Sequence, residues 1–221
     1  MKRNKFIAAV SFLAAFVLWT ILVCAIDVHP VGPKDSLVGL AGINQWIHSL
    51  TGVHFLLYNL TDWLGLVPIG VCIGFAVLGL VQWIDRKHIC KVDCDILVLG
   101  GFYTITFAGY LLFEFMVINY RPVLINGYLE ASYPSSTTML TICVMTTAGM
   151  QLKKRIPNKT ISRMVTIATT VFTAFMVIGR FLSGVHWFSD IVGGVLLSAG
   201  LVMMYCFICQ WKENQNEICK E

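Results

Sequence analysis

Charge is scarce in this sequence. Only 13% of its 221 residues are Asp, Glu, Lys or Arg while 57% are hydrophobic, against a charged share of about 25% in an ordinary soluble domain. That balance excludes a water-soluble globular domain and points to an integral membrane protein. A disulfide framework is also lacking, because most of the eight cysteines fall within apolar segments or on the side assigned below as reducing. Cys206-Phe-Ile-Cys209 sits in an apolar helical stretch and reads as packing. His88, Cys90 and Cys94 have no fourth ligand nearby in sequence, so they read as a loop and not as a metal centre. Internal repeats, low-complexity tracts and a second domain are absent, which leaves one helical membrane domain over residues 1–221.

What is present is a series of long apolar runs. Crossing the hydrocarbon core takes roughly 20 residues of helix, and six segments qualify: about 6–26, 64–84, 96–118, 137–151, 164–182 and 191–210, the fourth being short. The first follows Met-Lys-Arg-Asn-Lys like a secretory signal, but its apolar run is too long for one and no small-residue cleavage site follows, so it is expected to stay as a helix. The expected fold is therefore all-α, polytopic, with six transmembrane helices.

Lysine and arginine distribute unevenly between the two sides that these spans define. Lys2, Arg3, Lys5, Arg86, Lys87, Lys91, Lys153, Lys154, Arg155, Lys159, Arg163, Lys212 and Lys220 fall on one side, 13 of the 16 basic residues. By the positive-inside rule that side is cytoplasmic, with both termini inside. Lys34, Arg121 and Arg180 are left on the opposite, extracytoplasmic face of the cytoplasmic membrane. The net charge of +4 then reflects topology, and no nucleic-acid partner is expected.

Two outer loops stand out. In the longer, residues 27–63, Leu37, Leu40, Ile43, Ile47 and Leu50 recur at helical spacing beside Trp46, with Asp35 or Ser36 placed as N-cap. This predicts an interfacial helix between the first two spans, followed by a short amphipathic stretch from Phe55 to Trp63. It serves either as a lid admitting lipid or simply as a cover for the bundle end. In the second loop, NYRPVLINGYLEASYPSS over 119–136, Pro122 stops the third span and Gly127 and Pro134 mark turns. The loop can then fold back beside the stretch 179–194, GRFLSGVHWFSDIVGG.

That stretch places an arginine, a histidine and an aspartate in apolar surroundings, where each ionisable group costs on the order of 2.5–3.5 kcal/mol at bilayer depth. Asp190 follows His186 by four residues, one helical turn. A carboxylate that holds one imidazole nitrogen fixes the tautomer and leaves the other free as a nucleophile. Arg121 and Arg180 offer planar, permanently charged forks for phosphate oxygens. Singly, each residue has a plainer reading, as a snorkelling arginine or a helix cap. Together at one membrane face they predict phosphoryl transfer.

At these residues the sequence resembles the type-2 phosphatidic acid phosphatase family, membrane lipid phosphate phosphatases related to vanadium haloperoxidases. The family's third motif is Ser-Arg, five residues, His, three residues, Asp, and here it reads Gly179-Arg180, His186, Asp190. The first motif, Lys, six residues, Arg-Pro, keeps Arg121-Pro122 but has Glu114 in place of lysine. The second, Pro-Ser-Gly-His, keeps Pro134-Ser135 and continues with Ser136 and Thr137. The resemblance spans about residues 64–210. It implies that His186 is the nucleophile, Asp190 its orienting carboxylate, and Arg121, Arg180 and Ser135 the phosphate cradle, with no metal and no cofactor.

The residue replaced by Thr137 would protonate the leaving group, a contribution of about 10² to 10⁴ in rate. An alkoxide needs that help, since hydroxyls of water's kind have a pKa near roughly 15.7. A phosphomonoester leaving from a diphosphate, with a second pKa of about 6, does not. A polyprenyl diphosphate such as undecaprenyl diphosphate, or diacylglycerol diphosphate, is thus favoured over phosphatidate. Glu114 would repel phosphate unless protonated, paired with Arg121 or turned away; protonated, it could donate. Two alternatives stand beside the hydrolase: an inactive relative that binds lipid headgroups, and a transferase that uses the same histidine.

Overall fold

The computed structural model describes residues 2–218, with side chains from 3 to 212. Lys220 and the side chain of Lys2, counted above among the basic residues of one side, lie outside the described part, as does Cys219. The described residues form eight α-helices: α1 (Lys2–Ala25), α2 (Ala41–Thr51), α3 (Phe55–Leu64), α4 (Leu66–Arg86), α5 (Cys94–Phe115), α6 (Ser136–Arg155), α7 (Lys159–Leu182) and α8 (Phe188–Ile218). Among the described residues there is no β-strand beyond isolated bridges.

Among the described residues five segments are long and apolar enough to cross a membrane: Arg3–Ala25, Phe55–Arg86 (α3 running into α4), Cys94–Phe115, Lys159–Leu182 and Phe188–Lys212. Large apolar side chains such as Ile7, Val17, Leu18 and Ile21 on α1 and Met164, Ile167 and Val171 on α7 point away from the protein. That surface suits hydrocarbon and not water. The expected fourth span is α6, and it differs in kind. It runs to Arg155, four residues beyond the expected end, with Lys153, Lys154 and Arg155 in its last turn, where cations complement the helix dipole. Its own composition is too polar to qualify as a span. It is instead the inner helix, packed against α4, α5, α7 and α8, with Thr138, Thr141, Thr147 and Gln151 all buried.

Two of these four polar side chains, Thr147 and Gln151, are hydrogen-bonded inside the bundle, while the Thr138 and Thr141 hydroxyls have no partner. Thr147 Oγ1 donates to the Cys143 carbonyl at 2.7 Å, and Gln151 Nε2 donates to the Tyr205 hydroxyl of α8. Around this axis α1 packs along α8. Its buried residues Ala9, Phe16 and Val23 recur every seventh position, the spacing of a single seam between two nearly parallel helices. Gly200 on α8 permits that approach, because a Cβ there would lie 2.7 Å from Leu13.

α2 and α3 cover one end of the bundle, where the amphipathic stretches were expected, and Ile43, Trp46, Leu50, Leu56 and Trp63 face outward. The start of α2 is a correction. Residues Pro33–Asp35 form a separate 3-10 turn, and the helix begins at Ala41 after Leu40 in left-handed conformation, so neither Asp35 nor Ser36 caps it. Helix α5 likewise ends at Phe115, before Pro122 is reached. Helix α7 begins at Lys159, ahead of the expected residue 164, because Asn158 accepts from the Thr160 and Ile161 amides at 2.9 and 3.2 Å, a side-chain N-cap.

Candidate active site

The loop between α5 and α6 folds back on itself. Asn126 (φ 50°) and Gly127 (φ 81°) form the tip, the Asn-Gly pair whose positive φ angles suit a two-residue hairpin turn. Ile125 and Tyr128 exchange amide hydrogen bonds across it. Further down, the Arg121 amide donates to the Glu130 carbonyl at 3.1 Å and the Ser132 amide to the Asn119 carbonyl at 2.9 Å. This pairing fixes which side chains lie together at the hairpin base: Asn119, Arg121 and Ser132.

The base docks on the start of α8. Asp190 is fully buried in the first turn. Its Oδ2 accepts from the Trp187 amide at 2.9 Å, the reach-back half of a capping box, and from the Ser132 hydroxyl. Its Oδ1 accepts from Asn119 Nδ2 at 3.3 Å and Ser189 Oγ at 3.4 Å. His186 Nδ1 lies 3.0 Å from Ser132 Oγ but 3.8 Å from Asp190 Oδ2. The expected direct contact between histidine and aspartate is therefore bridged by a serine.

The bridge determines the tautomer. Ser132 has one hydroxyl proton and gives it to the carboxylate, so it can only accept from His186 Nδ1–H. The lone pair of His186 is then on Nε2, which is buried and without a partner. Burial first, then the Arg121 and Arg180 guanidinium groups, hold the His186 pKa well below the usual imidazole value. The neutral form of the ring is thereby favoured.

Both arginines are enclosed beside it. Arg180, at the end of α7, is 1% exposed, and its Nη1 stands 3.5 Å from Asp62 Oδ1. Arg121 Nε lies 3.1 Å from Glu130 Oε2, near enough for an ion pair but not aligned for a hydrogen bond. Tyr58 presents its ring to both, 5.1 Å from the Arg180 guanidinium and 5.8 Å from that of Arg121. Tyr58 and Asp62 are one turn apart on α3, so the covering helix braces the pair. Ser135 is the N-cap residue of α6, yet its hydroxyl makes no cap bond and is fully buried. Its amide donates to the Asp190 carbonyl at 3.1 Å, which ties the two helix starts together.

Five of the nine buried side-chain polar atoms without partners among the described residues belong to this group: His186 Nε2, Arg121 Nε and Nη1, Arg180 Nε and Ser135 Oγ. An orphaned buried polar group costs about 1–3 kcal/mol. Four of the five are N–H or O–H donors gathered where the N-termini of α6 and α8 also add positive potential. The arrangement gathers four partnerless donors beside one partnerless imidazole nitrogen.

Of the residues singled out in the sequence, His186, Asp190, Arg121, Arg180 and Ser135 come together here. Glu114 does not enter the cradle. It is exposed on α5 and lines a narrow crevice with Ser132, Pro134 and Ser136, while the carboxylate beside Arg121 belongs to Glu130. Thr137 points toward the α3–α4 junction, where its methyl is 3.6 Å from the position of a Gly65 Cβ. Ser132, Asn119, Asn44, Tyr58 and Asp62 were not foreseen. Asn44, fully buried on α2, donates to Ser189 Oγ at 2.9 Å and accepts from the Ser189 amide at 3.0 Å. It anchors the cover to the site.

Fold and site together define a helical membrane protein with buried, partnerless arginine and serine donors around a buried histidine. A family model described as the PAP2 superfamily matches residues 99–215, more than half of the chain. The chain belongs to the PAP2 superfamily. No curated protein matches it. Among solved structures, a transmembrane PAP2-type phosphatidylglycerolphosphate phosphatase from Bacillus subtilis is similar in fold, with a TM-score of 0.54 and 20% identity over 93% of this chain and 96% of that one.

Proposed function

We propose that this chain is a lipid phosphatase working through a phosphohistidine at His186, with its site at the extracytoplasmic face of the cytoplasmic membrane. Superfamily membership supports phosphatase chemistry on a lipid. The observation that carries the finer reading is the partnerless, neutral His186 Nε2 among partnerless arginine and serine donors. Nε2 attacks phosphorus, the bond from phosphorus to the leaving oxygen breaks, and the equatorial oxygens are held by Arg121, Arg180 and Ser135. As the ring becomes cationic, its Nδ1–H tightens on Ser132 and, through it, on Asp190. Water then breaks the N–P bond, releasing phosphate and restoring the imidazole. Two guanidinium groups supply the positive charge, so the scheme calls for no metal.

A lipid diphosphate, polyprenyl or diacylglycerol, is the substrate class this reading favours. No histidine or lysine stands at Thr137 or Glu114 to protonate a poor leaving group, and the exposed position of Glu114 supports a reading in which it does not donate from within the cradle. The test is phosphate release by purified protein from undecaprenyl diphosphate, diacylglycerol diphosphate and phosphatidate. Diphosphates should turn over faster, His186→Ala should abolish release while folding is kept, and Thr137→His should raise the phosphatidate rate by at most about 10² to 10⁴. Phosphatidate hydrolysed as fast as any diphosphate would refute the substrate class. Release persisting in folded His186→Ala would refute the mechanism. The same loss of phosphohistidine chemistry in wild type, with headgroup binding retained, would favour an inactive binding protein.

A further inference from the structure

The end of the bundle away from the site carries a second anion-attracting feature. Helices α6 and α7 border a membrane-facing groove of about 700 Å³, closed at one side by Val195 of α8, within the size range of small-molecule sites. Thr166, Thr169, Thr170 and Thr173 line it. Each of these hydroxyls donates to the carbonyl four residues back on α7, at 2.8–3.0 Å. With the hydroxyls spent on the helix, the stripe is effectively apolar. Gly149 on α6 opposes Thr169 so closely that a Cβ would stand 2.9 Å from its Oγ1.

At its far end the groove meets a smaller cavity of about 440 Å³, sharing Lys153 and Thr166 with it and adding Lys159 and Arg163. Neither Lys153, Lys159 nor Arg163 has an acidic partner among the described residues, in contrast to Lys154, which pairs with Asp95 at 3.2 Å. Lys159 and Arg163 are moreover placed against local preference. They are like charges one turn apart at the N-terminus of a helix, where the dipole disfavours cations. An anion between them and Lys153 turns that cost into a gain.

We propose that this combined groove is a binding site for one anionic phospholipid, its phosphate held by Lys153, Lys159 and Arg163 and one acyl chain laid along the threonine stripe. From Lys159 to Arg180 is roughly 30 Å of helix, so the site lies at the opposite membrane face from His186 and is independent of the proposed reaction. Basic pockets between helices are suited to such headgroups. Each basic residue contributes about a fivefold preference over a zwitterionic lipid.

Native mass spectrometry of the detergent-solubilised full chain, given equal phosphatidylglycerol and phosphatidylcholine with matched acyl chains, tests this. Wild type should retain one phosphatidylglycerol in clear preference. The K153Q/K159Q/R163Q variant should lose that preference. Thr170→Trp and Thr173→Phe, which fill the groove with the charges intact, should reduce retention by at least about tenfold. Equal retention of both lipids by wild type would overturn the site, as would an unchanged preference in the triple variant. Groove-filled variants that bind as wild type does would show adsorption to the basic helix ends alone and would overturn it equally. Unaltered phosphate release and melting temperature identify the variants as folded.

Discussion

Ser132 offers the sharpest perturbation of the site. In Ser132→Ala the His186 Nδ1–H loses its acceptor at 3.0 Å, and Asp190, at 3.8 Å, is too far to replace it without movement. Asp190 itself keeps the Trp187 amide and the weaker contacts of Asn119 and Ser189, so the carboxylate stays in place. The loss is thus one orphaned buried donor, about 1–3 kcal/mol, which at 1.36 kcal/mol per decade is a fall of about 5- to 150-fold in kcat. It should be expressed in kcat because the ring acquires its charge in the transition state. KM should move by no more than about threefold, because both bonds of Ser132 are directed away from the cradle. The assay is steady-state phosphate release from a lipid diphosphate by variants whose melting temperature and helical circular dichroism match wild type. Ser132→Thr should recover most of the rate, and Ser189→Ala, which removes only a 3.4 Å contact to Asp190, should cost less than about threefold. A folded Ser132→Ala enzyme with kcat within twofold of wild type would refute the bridging role.

Other outcomes follow from the same geometry. The His186 pKa is held below about 6.5 in the folded protein, so the unfolded chain binds the proton first as pH falls; stability should decline below about pH 6.5, and kcat/KM should show no acid limb from this ring at or above that value. A limb at pH 6.5 or higher that vanishes with His186 would contradict it. Glu130 competes with phosphate for Arg121, so Glu130→Gln should lower KM by up to about fivefold, the range of an exposed ion pair, whereas exposed Glu114→Gln should leave kcat/KM within about twofold; the reverse order in titrated initial rates would return Glu114 to the cradle. For topology, Tyr128→Cys at the exposed hairpin, in a background where exposed Cys24 is Ser, should react with an impermeant thiol reagent added to intact cells, and Cys90 should not. Labelling of Cys90 alone would invert the orientation.

The helical membrane fold was legible because composition and length carry it, and His186 with Asp190 was legible because four residues of spacing is a local property. The bridge between them was not. Ser132 reaches His186 across 54 residues and Asn44 reaches Ser189 across 145, and neither lies in a pattern that periodicity can mark. The hairpin that delivers Asn119, Arg121 and Ser132 did have a sequence signal in Asn126-Gly127, but only Gly127 was read as a turn. Helix α6 was read as short because polar residues truncate an apolar run. In the bundle interior Thr147 bonds to the Cys143 carbonyl and Gln151 to Tyr205, and the helix packs against four neighbours in place of lipid, so it continues. The cap at Asp35 or Ser36 failed because Leu40, in left-handed conformation, starts the helix instead.

The pairing of the first helix with the last bears on how the protein is made. Trp19 of α1 donates to the Ser189 carbonyl at 3.0 Å, Thr20 shares a 2.7 Å hydrogen bond with the Tyr133 hydroxyl, and the Ala9, Phe16 and Val23 seam faces α8. Helix α1 precedes α8 in the chain, so its seam has no protein partner until α8 has been made. Everything that α1 supports, the α8 start and the hairpin base included, is assembled only at that late moment. A chain truncated before α8 therefore holds Arg121 and Ser132 without His186 or Asp190, and the polar cluster around Asp190 cannot form in it.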